Sequence, residues 1–477
     1  MNFADYLLKG KKRNKKKIFI NKKLNYSNLS IEVENKSKNI FSKYKNRLIG
    51  ICLQNSPEFL VVYLSIIKSG NTAVIIEKGL SEERYYKILE KFKISFLITD
   101  YSFDKNIILK KFFLEKRIIN NLNFYSRIKN IKFKKKEYED VAVILFTSGS
   151  TGEKKGVMLT HKNLISNTNS ILKILPIKSN DVVNLLLPAS YSYGLSIINT
   201  HLKVEASIYL HNSPFVGSII QELKKFNCTS FYGVPSTFEI LLNKTNFINN
   251  RFPKIRYIAQ AGGKLEKNYK KELLKKFQNK FYVMYGATEA SPRLSYVPPK
   301  MLNNKLDSIG IPLPGIKFKL FKYKKTKYFQ LGVSGKNIMK GYFNDKKLTR
   351  KSFKKKYFLT GDLASKDKEN YYHITKRIDK TLKRYGYKIN LDIIEKTINK
   401  ISFIINCKLF FNEEKKLILV VQTIKEKFLL IDKINKILRK EFANYEIPDE
   451  ILFTKKPTTS FKEKISLNEL YYKLKKI

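Results

Sequence analysis

At 477 residues the chain is too long for a single hydrophobic core and calls for two or three units, for which its 43% hydrophobic and 13% aromatic content suffices. Its three cysteines, Cys52, Cys228 and Cys407, are too dispersed for a metal cluster or a disulfide framework and fit a reduced, cytoplasmic setting. The formal net charge of +54 raises nucleic acid or an anionic membrane as a partner, but the lysines are spread along the chain, AT-rich codon usage explains the joint excess of Lys, Asn, Ile, Phe and Tyr without Trp, and no nucleic-acid motif accompanies them, so a solvated lysine-rich surface is expected and nucleic acid is not.

In chain order, Met1–Leu8 lacks the apolar core of a signal peptide, and Lys11–Lys17 is the densest basic cluster, a candidate for phosphates or lipid head groups. Leu48–Leu53 reads as a buried strand. Ser56–Gly70 reads as a helix with Phe59, Leu60, Tyr63, Leu64 and Ile67 near one face. Asn71–Ile76 is a second strand, Ser81–Phe92 a helix capped by Ser81, and Ile94–Thr99 a third strand. The rhythm resumes at Asp181–Leu187, Ile197–Leu210 and Thr229–Gly233. Such alternation predicts parallel sheets covered by helices. Residues 310–375 change to Gly, Pro and alternating Lys and aromatic residues, which predicts short antiparallel strands. From about 380, Ile404–Phe411, Lys416–Gln422 and the helical Phe428–Glu441 predict a small α+β unit. No apolar run reaches the ~20 residues of a membrane span.

The most informative segment follows the apolar run Val141–Phe146. Thr147-Ser-Gly-Ser-Thr-Gly-Glu-Lys-Lys-Gly156 supplies glycines that let backbone N–H groups approach phosphate oxygens, hydroxyls that donate, and Lys155 as a charge on a flexible stem. Its spacing is not that of the P-loop NTPases.

This loop resembles the phosphate-binding loop of the adenylate-forming superfamily, which includes acyl-CoA synthetases, nonribosomal peptide adenylation domains and luciferases. The resemblance continues in order through Pro188-Ala-Ser-Tyr-Ser-Tyr-Gly-Leu195, Tyr232–Ser236, Gln260-Ala-Gly-Gly-Lys264 and Met284-Tyr-Gly-Ala-Thr-Glu289. It extends through Gly310–Gly315, Lys340-Gly-Tyr342, Tyr357-Phe-Leu-Thr-Gly-Asp362, Arg377-Ile-Asp379, Lys383-Arg-Tyr-Gly-Tyr387, Tyr445-Glu-Ile-Pro448 and Lys464. It implies an α/β fold: an N-terminal domain over 1–376, with parallel-sheet subdomains at about 1–180 and 181–305 and a small β-barrel-like subdomain at 306–376, followed by a mobile α+β domain over 380–477.

The resemblance also implies chemistry. A carboxylate attacks the α-phosphate of ATP, pyrophosphate leaves, and a thiol takes the acyl group from the acyl-adenylate. Thr147, Ser148, Gly149, Ser150, Thr151, Gly152 and Lys155 then cradle phosphate, with Gly263, Gly286 and Thr288 also at the nucleotide. Glu289, helped by Thr147, holds Mg²⁺, an ion that takes few oxygen ligands from protein. Tyr285 stacks on adenine, Asp362 at a strand end accepts the ribose hydroxyls, and Arg377 complements it. Lys464 bridges substrate carboxylate and α-phosphate, Asp379 is the hinge, and Lys383 and Gly386 enter the site for thiol transfer. Lys154, Lys376, Tyr191 and Glu463 stand where relatives carry Pro, Gly, His and Gly respectively.

For the substrate, an amino acid would need a carboxylate to pair its ammonium, and Pro188–Ile198 holds none. A plain fatty or aryl carboxylic acid is therefore expected, lined by Tyr191, Gly194, Val234, Gln260, Ala261 and Ala287. The acceptor is coenzyme A or the phosphopantetheine of an acyl carrier protein. An enzyme serving only a dedicated carrier protein is the alternative, and a non-enzymatic polyanion binder a remote one.

Overall fold

Every residue of the Leu48–Cys52 strand is buried, as a run without polar alternation requires of a strand covered on both faces. It lies at the centre of an eight-stranded sheet and pairs in parallel with Thr72–Ile75 and Phe96–Thr99. Val141–Ser148 joins the Thr72–Ile75 side in parallel. Antiparallel additions finish both edges: a Phe113–Ile119/Leu122–Arg127 hairpin on one, and Gly341–Tyr342 paired with Met158 and Val157 on the other. Between the first two strands runs the Pro57–Lys68 helix, started by Ser56, whose hydroxyl accepts from the Phe59 N–H at 3.1 Å, with Pro57 in the first turn.

The computed structural model describes residues 1–12, 14–103, 112–119, 121–127, 138–148, 154–211, 213, 215–324, 326–378, 381–385, 387–423, 427–454, 471–472 and 474–475. The chain divides into two compact units. The first takes in Met1–Lys78, Leu89–Thr147 and Lys155–Ile378; the second takes in Gly79–Ile88, Ser148–Lys154 and Asp379–Ile477.

The first unit holds a second, twelve-stranded sheet. Ser207–Leu210, Val182–Leu185, Ser230–Gly233, Tyr257–Gln260 and Phe281–Gly286 run parallel, as α/β alternation demands. At Arg293–Val297 the sheet turns antiparallel. Ser308–Pro312, Tyr372–Arg377, Tyr357–Lys366, Phe329–Gly335 and Ile316–Lys322 follow, so the antiparallel strands expected from the Lys/aromatic pattern extend this sheet.

The Ser192–Lys203 helix is buried from Ser192 through Leu202, the property of a helix packed on all sides. Gly194 lets its first turn approach the preceding loop, since a Cβ there would lie 2.2 Å from the Pro188 carbonyl oxygen. The helix's carboxyl end is met by Lys11, which is 2% exposed and donates to the Leu202 carbonyl at 2.7 Å. A cation belongs at that end of a helix, and burial lowers its amine to about 8. Lys16 is half-buried and donates to the Ser179 carbonyl at the surface. Of the Lys11–Lys17 cluster, raised as a candidate for phosphates or lipid head groups, Lys11 is taken up by helix capping.

In the second unit Ile404–Phe411 pairs antiparallel with Leu417–Thr423, close to the predicted bounds, and Lys427–Glu441 is the predicted helix. A third strand, Glu450–Thr454, joins in parallel; its mix of polar and apolar residues carries no strand signal. Within the Thr381–Arg384/Tyr387–Asn390 hairpin, Arg384 donates to the Ile447 carbonyl at 2.7 Å and pairs with Asp449, whose second oxygen accepts from Leu417 N–H at 2.7 Å.

Gly310 offers a test of the backbone argument. Its φ is +84°, and a Cβ would fall 1.8 Å from the Tyr296 carbonyl oxygen. Gly310→Ala combines left-handed strain with a backbone clash and is expected to cost about 3 kcal/mol, read as a lowered urea midpoint with an unchanged slope.

Candidate active site

The expected pocket residues follow the carboxyl ends of the parallel strands in the second sheet. Tyr191 lies beyond Val182–Leu185, Val234 beyond Ser230–Gly233, Gln260 and Ala261 at the end of Tyr257–Gln260, and Ala287 beyond Phe281–Gly286. In open α/β sheets this is where ligands bind, because the loops leaving those ends surround a crevice. Gly262, with φ +90°, brings the 260–263 turn against two of them: a Cβ there would lie 2.8 Å from the Tyr191 hydroxyl and 3.0 Å from Val234 Cγ1. Gln260 closes the turn by donating from Nε2 to the Gly263 carbonyl at 2.9 Å. Burial raises the Tyr191 phenol to about 12, so it remains a neutral donor.

The Tyr285–Glu289 segment gathers several of the expected site residues. Gly286 is required because a Cβ would sit 2.2 Å from the Pro292 carbonyl oxygen as the chain doubles back. Ala287 N–H donates to that same oxygen at 2.9 Å. The Tyr285 hydroxyl donates to Asp362 Oδ2; burial and the adjacent carboxylate push the phenol well up. Arg377 Nη1 donates to Asp362 Oδ1 at 2.7 Å, placed there by the register that sets Asp362 opposite Arg377. Asp362 is 4% exposed. It lies inside the Tyr357–Lys366 strand rather than at a strand end as expected, because Gly361, at φ +79°, kinks the strand without ending it. A carboxylate has about four lone-pair positions, and these two partners leave capacity for a ribose diol.

Glu289 lies in the short 3₁₀ turn Thr288–Ala290 and is 9% exposed. Its Oε1 accepts from the Tyr342 hydroxyl at 3.0 Å. The Lys155 ammonium stands 5.7 Å from the centre of the Tyr342 ring, and the Thr288 hydroxyl is 3.1 Å from that of Ser192. Thr147 is the penultimate residue of the Val141–Ser148 strand, which neighbours the strand carrying Lys155. Among the described residues no group of three or more His, Cys, Asp or Glu side chains could hold a metal. A lone carboxylate with a hydroxyl fits an ion that arrives on phosphates rather than one caged by protein.

Gly149, Ser150, Thr151, Gly152, Asp379, Gly386 and Lys464 lie outside the described residues, and Ser148 and Lys383 are described only in their backbone. The sequence assigns no role to Tyr342 or Arg293. Tyr342 lies within Lys340-Gly-Tyr342; Arg293 stands four residues after Glu289, a position whose burial no local pattern reveals.

The family model for AMP-binding enzymes matches residues 9–343. This chain belongs to the AMP-binding enzyme family. The D-alanine–D-alanyl carrier protein ligase of Listeria monocytogenes is 25% identical over 83% of this chain and 83% of its own length. The 4-coumarate–CoA ligase-like protein 6 of Arabidopsis thaliana is 23% identical over 77% of this chain and 70% of its own. Among solved structures, an o-succinylbenzoate CoA synthetase variant from Bacillus subtilis, bound to a product analogue, matches with a TM-score of 0.79 at 21% identity, over 100% of this chain and 98% of that one. It shares the fold.

The Asp362 cluster has the chemistry to receive a sugar diol. Asp362→Asn and Arg377→Ala are each expected to weaken AMP binding about tenfold, the worth of one hydrogen bond to a charged group. The double variant should lose less than the two losses combined, because one pair is removed twice. Calorimetric titration of AMP checks both statements.

Proposed function

We propose that this AMP-binding enzyme is an ATP-dependent acid–thiol ligase. A carboxylate oxygen of the substrate attacks the α-phosphorus, the bond to pyrophosphate breaks with its electron pair, and an acyl-adenylate forms. A thiolate then attacks the acyl carbon and AMP departs. The observation that carries this reading is the Tyr285–Glu289 segment: within five residues it contributes a tyrosine bound to Asp362 and a glutamate bound to Tyr342. One end thus suits a ribose and the other a phosphate-borne cation.

Joining two anions requires charge neutralisation and oriented donors. The loop Thr147, Ser148, Gly149, Ser150, Thr151 and Gly152, with Lys155, supplies them to the phosphates. Glu289 and the Thr147 hydroxyl would hold Mg²⁺, which neutralises phosphate oxygens when bound. Lys464 would neutralise the charge developing between carboxylate and α-phosphate, and Lys383 with Gly386 would admit the thiol. Asp379 would be the hinge on which a C-terminal domain over 380–477 turns relative to 1–376.

The acid is a fatty or aryl carboxylic acid. No carboxylate occurs among Tyr191, Gly194, Val234, Gln260, Ala261 and Ala287 to pair with an amino group. Coenzyme A and a carrier-protein phosphopantetheine are both acceptors consistent with the names of the relatives. Loading of a dedicated carrier protein alone is the second reading, favoured by the +54 charge, which would steer an acidic protein. A cytoplasmic setting agrees with the three cysteines, all buried and none in a disulfide among the described residues, and no helix among the described residues is long and apolar enough to cross a membrane.

Carboxylate-dependent ATP–pyrophosphate exchange over a panel of fatty, aryl and amino acids is expected to be positive with the first two classes. Lys464→Ala should slow it by about 100- to 1,000-fold, or about 3–4 kcal/mol, as loss of an oriented charge at a developing oxyanion does. Silence with every acid in the presence of Mg²⁺ overturns the reading. Acyl transfer to coenzyme A but to no holo carrier protein removes the second one.

A further inference from the structure

Arg293 opens the Arg293–Val297 strand and lies opposite Gly286 across the antiparallel pair. Its backbone is held from both sides: Arg293 N–H donates to Asn167 Oδ1 at 3.2 Å, and Asn167 Nδ2 donates back to the Arg293 carbonyl at 2.8 Å. Its side chain is treated differently. The residue is 2% exposed, yet among the described residues its Nε has no acceptor and no carboxylate faces the guanidinium. Its ionisable neighbours are the phenols of Tyr193, Tyr232 and Tyr191, and the guanidinium carbon stands 3.8 Å over the Tyr193 ring.

A guanidinium stays protonated in protein interiors. Buried without an anion it is costly, and an aromatic face offsets only part of that cost. The fold therefore maintains a cation that nothing among its described residues neutralises. Its place explains what could. Tyr193 and Tyr191 are edge-to-face at 6.3 Å, and the Tyr191 hydroxyl meets the 260–263 turn beside Val234. Arg293 thus packs against Tyr193, next to Tyr191 of the expected acyl pocket. Its planar fork of N–H donors matches a carboxylate in two parallel hydrogen bonds. The same charge repels an ammonium.

We infer that the acid activated here carries a second carboxylate, remote from the reacting one, and that Arg293 is the specificity-determining residue that receives it. This rests on the ligase reading above. The substrate class becomes a dicarboxylic acid with an aliphatic or aryl body, bound as a dianion and activated at one end only. The second carboxylate would supply the missing acceptor for the fork, and an acid lacking it would leave a buried cation unpaired in the complex.

The experiment is ATP–pyrophosphate exchange with the full-length chain on matched pairs: straight-chain dicarboxylic acids and aryl dicarboxylic acids against monocarboxylic acids of equal length. The wild type is expected to favour the dicarboxylates in kcat/KM by about 100-fold or more, as sites built around a buried polar partner do. Arg293→Met should abolish that preference while keeping or improving exchange with monocarboxylates, and Arg293→Lys should retain part of it. Equal or better use of monocarboxylates by the wild type overturns the assignment and leaves the ligase reading standing. So does an unchanged preference in Arg293→Met. Silence with every acid overturns the ligase reading and this assignment together. The wild-type ratio decides the matter even if the Met variant does not fold.

Discussion

A carboxylate at 4% exposure, shared between a phenol and a guanidinium, ties the turning point of the second sheet to its antiparallel half. Asp362 could not be buried alone: removing one partner of such a pair leaves an uncompensated charge and costs about 3–5 kcal/mol. The chain meets this condition with Arg377 from the adjacent strand and Tyr285 from the last parallel strand. Four residues beyond Tyr285, Glu289 receives the hydroxyl of Tyr342, which belongs to the first sheet. The Tyr285–Glu289 turn is thereby fixed to two other strands through its side chains. The surface this presents is already in place, with little reorganisation left for a ligand to drive.

Close backbone approach makes that turn possible. Gly286 lets the chain double back onto Pro292, and Gly194 lets the central helix meet Pro188. The same helix is buried along its length, so the loops around it cannot relax outward without opening the core. Rigid scaffolding beneath, with functional side chains on the loops above, is the usual division of labour in α/β proteins.

The large positive charge is not uniformly a surface property. Lys11 caps a helix from within and Arg293 faces aromatic rings. These cations differ in consequence. Lys11 is satisfied by carbonyl oxygens and is structural, whereas Arg293 Nε has no acceptor among the described residues. Composition counts both alike, and only their surroundings separate a scaffold charge from one that awaits an anion.

Much of this was legible in the sequence, because apolar runs, caps and glycine-rich turns are local signals. The strands at Leu48–Cys52 and Ile404–Phe411 and the helix at Pro57–Lys68 fall where periodicity puts them, since burial on both faces or on one stripe leaves its mark in neighbouring residues. The ordered motifs named the family for the same reason: each is a short stretch whose residue types are dictated by a nearby backbone demand. What the chain order could not reveal was pairing at long range. That the antiparallel strands extend the second sheet, that Tyr342 reaches Glu289, that Asp362 lies within a strand, and that Arg293 is enclosed by tyrosines are facts of register and packing between segments tens to more than a hundred residues apart. Periodicity says which face of an element is buried; only the assembled sheets decide what it is buried against.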